Sequence, residues 1–366
     1  CHSRSRMRAN VVVIGGGALG SLLAARLAQC ATPGAGGRVT LLTRWEEHAA
    51  AISAHGGIAL EEEASSVLVS GVEVARCAAE VRLNGGNRRP DAILLAVKHG
   101  GTQRAAADAA ELLVLSRGGG GAEAACVVAS LQNGMGNCAI VAAELARVGL
   151  LDGDSALSSV VVAQGVTSNG ATLVAPGVVR HAGRGATELG ISSHSTARDE
   201  DAVERLCAAL SAAGLDAQRR DDIESVVWEK LAVNASINAL TALLRVTNGA
   251  VATSPACRSL TRRIVGEVAA VARAEGATLS TAEVLTERAL AVAERTAANQ
   301  SSMLSDVLAA RATEVDAIHG AVVRAGAARG VPTPANALLA ELLAAAHETR
   351  AQRVEVKVVR AQACSS

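Results

Sequence analysis

Residues 10–26, NVVVIGGGALGSLLAAR, restrict the possible folds more than any other stretch. The run 10–14 reads as a strand covered on both faces, because it does not alternate. Gly15-Gly16-Gly17-Ala18-Leu19-Gly20 follows, and Gly15, Gly17 and Gly20 fit G-x-G-x-x-G. That spacing serves a tight turn, close approach of backbone to a pyrophosphate, and close packing of the next helix, whose N-terminus faces the anion. In a chain with 35 glycines the pattern alone carries little. Here it leaves a strand, opens an apolar helix, and is followed by a second strand at 38–44, RVTLLTR. A dinucleotide-binding βαβ unit is the expectation.

The rest of the first 220 residues continues the alternation. Strands are expected at 91–98 (DAILLAVK), 125–134 (ACVVASLQNG), within 155–183 and at 216–220, with a short β excursion at 57–76. Helices are expected at 102–116 and 201–215. From 222 onward only helical patterns remain, at 223–243, 256–276, 281–298, 302–329 and 335–350. The predicted fold class is therefore an α/β Rossmann-type N-terminal domain, a doubly wound and mainly parallel sheet, followed by an all-α C-terminal domain. The boundaries are 9–221 for the nucleotide domain and 222–350 for the helical domain. Flexible tails are expected at 1–8 and 351–366, and loop insertions without chemistry at 30–37, 84–90 and 117–122.

Half of the 366 residues are hydrophobic and the net charge is zero, which argues against an electrostatic nucleic-acid binder. There is no Phe or Tyr, and only Trp45 and Trp228 are aromatic, so the core packs from Ala, Val and Leu. The eight cysteines are scattered without CxxC spacing, and read as small core residues rather than a zinc site or disulfide framework. The N-terminal SRSRMRAN followed by an apolar run imitates a targeting segment, but three glycines and Arg26 interrupt it. No membrane partner is expected. The expected location is cytoplasmic, or organellar if CHSRSRMR ends a transit peptide; Met7 equally suits a natural start.

Of 35 basic residues 32 are Arg; the lysines are Lys98, Lys230 and Lys357. Arg does not release a proton near neutral pH, so a retained Lys is informative. Lys230 lies in VVWEKLAVNASINAL with Asn234 and Asn238 at steps of four. Each step advances about 400° around a helix, so the three drift only ~80° and share one face. Desolvation among apolar neighbours makes an ammonium a readier proton donor.

Other polar residues stand where strands end. Thr43-Arg44 occupies the place where an NAD site carries Asp or Glu, and a guanidinium there suits the 2′-phosphate of NADPH/NADP+. Lys98 closes the strand 91–98, where its charge suits a nicotinamide ribose or a substrate anion. Asn133 closes the strand 125–134, where its amide suits cofactor or substrate carbonyl. In ANQSSML…RATEVDAIHG, read as one amphipathic helix, Asn299, Ser301 and Ser302 offer hydrogen-bonding groups. Glu314 is an ionic partner for Lys230, and His319 is a structural histidine.

These residues resemble the ketopantoate reductase (2-dehydropantoate 2-reductase) family over about residues 10–350. The likeness rests on GGGALG, AVK at 96–98, QNGMG at 132–136, WEKLAVNASINALTAL at 228–243, NG at 248–249, and SSML…ATEVDAIHG. It implies Lys230 as proton donor with Glu314, and Asn133, Asn234, Asn238, Asn248 and Ser302 as substrate ligands. It implies contacts to NADPH from Gly15, Gly16, Gly17, Ala18, Leu19, Gly20, Arg44, Lys98, Asn133 and Glu314. The partner would be a small 2-oxo acid, and the chain a monomer or homodimer. The chain departs from the family pattern at Gln132, often His, and at His319, often Asn. Two alternatives stay open: a reductase of another 2-oxo acid or of a 3-hydroxyacid on the same scaffold, and a non-catalytic NADP(H)-binding regulatory protein.

Overall fold

The computed structural model describes residues 9–352 apart from 32–36, 64, 84–88, 117–124, 152–159 and 193–194. The predicted tails, except 351 and 352, and most of the three loop insertions therefore lie outside the described residues.

The elements in order are β1 (Asn10–Ile14), α1 (Ala18–Cys30), β2 (Arg38–Leu42), α2 (Glu46–His55), β3 (Gly57–Glu62), β4 (Ser65–Ser70) and β5 (Val72–Ala75). Next come β6 (Ala92–Leu95), α3 (Thr102–Leu115), β7 (Cys126–Ser130), α4 (Asn137–Arg147), β8 (Val160–Thr167), β9 (Gly170–Ala175), β10 (Val178–Gly183) and β11 (Thr187–Gly190). They are followed by α5 (Ala197–Ala212), β12 (Ala217–Arg219), α6 (Ile223–Leu244), α7 (Gly249–Thr253), α8 (Pro255–Ala274) and α9 (Ala282–Arg295). The last are α10 (Ser302–Leu308), α11 (Ala321–Arg329) and α12 (Pro334–Glu348).

The main sheet has the order β12-β11-β8-β7-β6-β1-β2-β5. From β5 to β8 every pair is parallel; β11 then turns antiparallel to β8. The glycine turn leaves the sheet between β1 and α1, where strand order reverses. This is the N-terminal Rossmann-type domain expected, and the elements from α6 onward are helical. All five residues of β1 are buried because both sheet faces are covered. Val11 and Val13 join one apolar cluster with Leu22 and Leu27 of α1 and Leu206 and Leu210 of α5. Val12 and Ile14 join another with Ala106 and Leu113 of α3 and Val141 and Leu145 of α4. Strand alternation thus splits one continuous apolar run between two cores.

The β excursion at 57–76 is three strands with two destinations. β5 joins the main sheet beside β2, whereas β3 and β4 form a second sheet in the order β4-β3-β10-β9. Four elements carry no expectation. The Ala-rich α2 lacks a clear apolar stripe and ends at Gly56 with φ 70°; β11 has only four residues; α4 follows a turn; α7 has only five residues. α5 starts earlier than expected because Thr196 and Asp199 form a capping box.

The single helix expected at 302–329 is broken, which corrects that reading. Ala310 adopts φ 54°. Arg311 folds back onto buried Asp306, its N–H donating to the Asp306 carbonyl at 2.8 Å and its Nε to Oδ1 at 3.1 Å. The chain resumes in a π-helical turn, Asp316–Gly320.

The chain divides into two compact units. One takes the described residues up to Leu231 plus Ala272–Leu279; the other takes Ala232–Val271 plus the residues from Ser280 onward. The division falls inside α6. In the first unit Thr278 N–H donates to Ser225 Oγ at 3.1 Å, tying the loop after α8 to the start of α6. In the second, Ile264, Val265, Val268 and Ala269 of α8 are buried at helical spacing. The cysteines among the described residues are free. Burial pushes the Cys126, Cys138 and Cys207 thiols up to about 12, as inert core thiols require. No helix among the described residues is long and apolar enough to cross a membrane.

Candidate functional site

The glycine turn is closed on the protein side. A Cβ on Gly20 would lie 1.8 Å from the Gly15 carbonyl oxygen, and one on Gly16 would lie 2.2 Å from Thr43 Oγ1. Gly15 has φ 120° and abuts the Ala96 backbone. Gly17 is exposed, and a Cβ there would meet nothing within 4 Å. Gly17 is also the N-cap of α1 and makes no side-chain cap bond. The first intrahelical donor is Ser21 N–H, to the Gly17 carbonyl at 2.9 Å, so the N–H groups of Ala18, Leu19 and Gly20 precede the ladder. A cradle shut behind and open in front, at a helix N-terminus, fits a pyrophosphate.

The other predicted residues of this unit follow the carboxyl ends of neighbouring strands. Arg44 follows β2, Lys98 follows β6, Asn133 follows β7, and Thr167 ends β8. From β2 to β8 is four strand spacings, roughly 19 Å, a row suited to an extended ligand. Arg44 donates from its NH2 to Asp108 Oδ1 of α3 at 2.6 Å, and that bond raises its pKa above the usual guanidinium value. The buried Asp108 fixes the direction of the fork, whose other N–H donors suit an oxyanion. Lys98 is exposed.

Lys230 is where the unit draws distant sequence together. Val166, Ile223 and Val227 form a small apolar cluster with Met135 and Val226, which packs the first turns of α6 beside the end of β8. One turn further on, Lys230 Nζ donates to Asn133 Oδ1 at 3.0 Å and to the Thr167 carbonyl at 2.8 Å. Lys230 is half-buried. Both supports are themselves braced. Gly134 and Gly136 supply φ 82° and 86° in the turn after Asn133. Asn137 Nδ2 donates to the Asn133 carbonyl at 3.2 Å, and Thr102 Oγ1 lies 2.9 Å from Asn137 Oδ1. Buried Gln132, the departure from the family pattern, donates from Nε2 to Thr102 Oγ1 at 2.7 Å. On the other side, Asn169 Nδ2 donates to Thr167 Oγ1 at 3.1 Å and to the Gly185 carbonyl at 2.6 Å. Asn169 Oδ1 accepts from His181 Nε2 at 2.9 Å, and His181 Nδ1 accepts from Arg26 at 2.8 Å. An Arg only donates, so His181 carries its proton on Nε2. Burial, with Arg26 and Arg184 adding to it, holds that imidazole below its usual pKa.

Asn234, Asn238, Asn248, Ser302 and Glu314 belong to the second unit. α6 carries Lys230, Asn234 and Asn238 in one stripe, as the four-residue steps require. Asn238 and Glu314 are buried, Asn234 is half-buried, and Ser302 is exposed. Asn248 is buried, and its Nδ2 donates to Thr296 Oγ1 at 2.9 Å. Thr296 Oγ1 gives its own proton to the Val292 carbonyl, so the amide orientation is determined. Asn248 Oδ1 is then a buried acceptor without a partner. Ser301 is the structural member of its pair: its Oγ caps Leu304 N–H at 3.1 Å and meets Thr241 Oγ1 of α6 at 2.7 Å. Exposed Asn299 contributes its carbonyl to Asn248 N–H. His319 is wholly buried, as a structural histidine should be.

Sequence reasoning missed Thr167, whose contribution is a backbone carbonyl and leaves no side-chain signature. Arg76, one residue past β5 and 3.6 Å from Glu46, was legible only once β5 was placed beside β2. A charged hollow of about 520 Å³ lies along β3 and β10. It is lined by Glu61, Glu62, Arg180 and His181 and shares no residue with the row described above. Among the described residues no group of three or more His, Cys, Asp or Glu is placed to hold a metal ion.

Two family models match the chain: "Ketopantoate reductase PanE/ApbA" over residues 11–194, and "Ketopantoate reductase PanE/ApbA C terminal" over residues 222–347. A 2-dehydropantoate 2-reductase of Halobacterium salinarum is 38% identical over 217 residues, 59% of this chain and 66% of that protein. The chain thus spans just under two thirds of that relative's length. One of Pyrococcus abyssi is 28% identical over 330 residues, 90% of this chain and 95% of its own. A solved PanE/ApbA family ketopantoate reductase from Ralstonia eutropha superposes with a TM-score of 0.74 at 28% identity, over 93% of this chain and 99% of its own. A D-mandelate dehydrogenase solved with NADH and anilino(oxo)acetate gives 0.75 at 26% identity, over the same shares.

Proposed function

The chain belongs to the ketopantoate reductase family PanE/ApbA, and on that footing we propose that it reduces 2-dehydropantoate to pantoate with NADPH, on the route to pantothenate and coenzyme A. Its first unit is the NADP(H)-binding Rossmann fold of an oxidoreductase of this family. The observation that carries the reading is the Lys230 ammonium, held by Asn133 Oδ1 and the Thr167 carbonyl at the carboxyl edge of that sheet.

When bound, NADPH supplies the hydride to the C2 carbonyl carbon. The protein's tasks are to stabilise negative charge on the C2 oxygen and to give it one proton, completing the hydroxyl. Lys230 serves both: its positive charge lowers the barrier, and its N–H bond breaks as the O–H bond forms. Asn133 and Thr167 each accept from Nζ and so fix where the ammonium stands. The cradle Gly15–Gly20 holds the pyrophosphate, Arg44 favours a 2′-phosphate over the bare hydroxyl of NAD(H), and Lys98 and Asn133 serve the nicotinamide side. Asn234, Asn238, Asn248 and Ser302 are the proposed ligands of the substrate's carboxylate and distal hydroxyl, and Glu314 completes the catalytic set. The lone Asn248 Oδ1 supports this reading, because a buried acceptor calls for a donor such as a substrate hydroxyl.

The D-mandelate dehydrogenase likeness favours a second reading, reduction of another 2-oxo acid on the same scaffold. NADPH oxidation with 2-dehydropantoate, pyruvate and 2-oxoisovalerate separates the two; a preference for either of the latter favours the second. For the proton donor, Lys230→Ala and Lys230→Arg should each lower kcat at least about 100-fold with NADPH affinity unchanged. Near-native turnover of either variant at neutral pH refutes the assignment.

A further inference from the structure

Trp45 is 40% exposed, while Trp228, the other tryptophan of the chain, is buried. The exposed ring is nevertheless fixed. It stacks on His48, with ring centroids 5.1 Å apart and planes 13° from parallel. His48 is wholly buried and both its ring nitrogens are engaged. Gly177 N–H donates to Nδ1 at 3.0 Å, so the ring proton is on Nε2, 2.9 Å from Ser21 Oγ of α1. His48 also backs the glycine turn: a Cβ on Gly16 would meet His48 Cδ2 at 3.3 Å. The Trp45 backbone N–H donates to Thr43 Oγ1 at 3.3 Å, the same hydroxyl against which Gly16 packs. The indole is thus seated on a histidine that backs the turn cradling the pyrophosphate, its backbone is tied to Thr43 beside that turn, and it directly follows Arg44.

In a fold of this kind the adenosine ribose lies against the end of the second strand, so the base falls beside the residues that follow it. A purine offers a flat π-face on which an aromatic side chain stacks, while the Arg44 fork is directed by Asp108. We propose that Trp45 is the adenine platform of the dinucleotide site, its indole held in place by His48 from behind and stacking the purine in front. The inference rests on the reading of the first unit as an NADP(H) site, and adds a residue that the glycine pattern does not mark.

The test uses the full chain and 2′-phospho-ADP-ribose, which carries the adenosine end and no nicotinamide. Binding is read by calorimetry and by quenching of tryptophan emission. Wild type should bind with quenching. Trp45→Phe, which keeps an aromatic face, should bind within about threefold of wild type, and Trp45→Leu about tenfold more weakly. Thermal melts of both variants report folding; should Trp45→Leu fail to fold, the platform is judged on Trp45→Phe and on the wild-type quench, whose absence on binding refutes it. If wild type binds and a folded Trp45→Leu binds equally well, the platform is refuted alone. If wild type does not bind the probe at all, the cofactor reading falls and the platform with it.

Discussion

Replacing His319 by glutamine should flatten the loss of stability on the acid side of neutrality. His319 lies in the π-helical turn Asp316–Gly320 and is wholly buried. Asn336 Nδ2 donates to Glu267 Oε2 at 2.8 Å, which leaves Asn336 Oδ1 to accept from His319 Nδ1–H at 2.9 Å. His319 Nε2 has no hydrogen-bond partner. A second proton must go to Nε2, where burial opposes charge and no acceptor receives the new N–H. Burial accordingly pushes the imidazole down from 6.5 to about 4, against the opposing effect of Asn336. The unfolded chain takes up the proton as pH falls through 6.5; the folded chain does so only near 4. The stability tied to this group is therefore complete above 6.5 and is lost progressively as pH falls from 6.5 to 4. That interval, at about 1.4 kcal/mol per pH unit, corresponds to about 3 kcal/mol.

Glutamine retains an N–H that reaches toward Asn336 and does not titrate. Burial lowers the pKa of His48 and His181 as well, so the informative quantity is the difference between wild type and variant. Urea unfolding followed by circular dichroism at steps from pH 7.5 to 4 measures it. Because the chain has two compact units, the transition of the helical unit is the one to follow. The difference should move by about 3 kcal/mol in favour of His319→Gln between the ends of the range. A difference that stays constant within about 0.5 kcal/mol would refute the account of His319 as a buried neutral base.

Gly20→Ala should weaken NADPH binding at least about 100-fold by calorimetry and lower Tm, because its methyl would sit 1.8 Å from the Gly15 oxygen and force the turn apart. Gly17→Ala, where nothing lies within 4 Å, should leave Tm within about 2 °C and change only nucleotide affinity. Asn169→Ala should cost about 2–3 kcal/mol in urea unfolding, since it leaves the His181 N–H and the Gly185 carbonyl without these partners. A cost below about 0.5 kcal/mol would show that water replaces the side chain.

The legible parts of this protein are those written in short-range periodicity. A non-alternating strand, a spaced glycine turn and an apolar helix follow one another within 21 residues, and their spacing admits few structures. The four-residue steps of Lys230, Asn234 and Asn238 are likewise a property of one helix. Three helices were not legible: α2 is Ala-rich without a stripe, α4 follows a turn, and α7 is only five residues long. The break at Ala310 has no Gly or Pro to announce it; Asp306 draws Arg311 back and imposes a left-handed residue that alanine does not favour.

The sequence by itself determined the nucleotide cradle and the singular place of Lys230 in an arginine-rich chain, because both depend on residue type and local spacing. Only the tertiary structure decided what Lys230 meets. Asn133 is 97 residues away and Thr167 offers a backbone carbonyl, which every residue has. Only the fold, likewise, set Trp45 on His48 and pinned His48 between α1 and the turn before β10. Periodicity specifies which face of an element is apolar. Which distant polar groups then share a site depends on how strands are ordered in the sheet, and that order follows from packing across the whole unit.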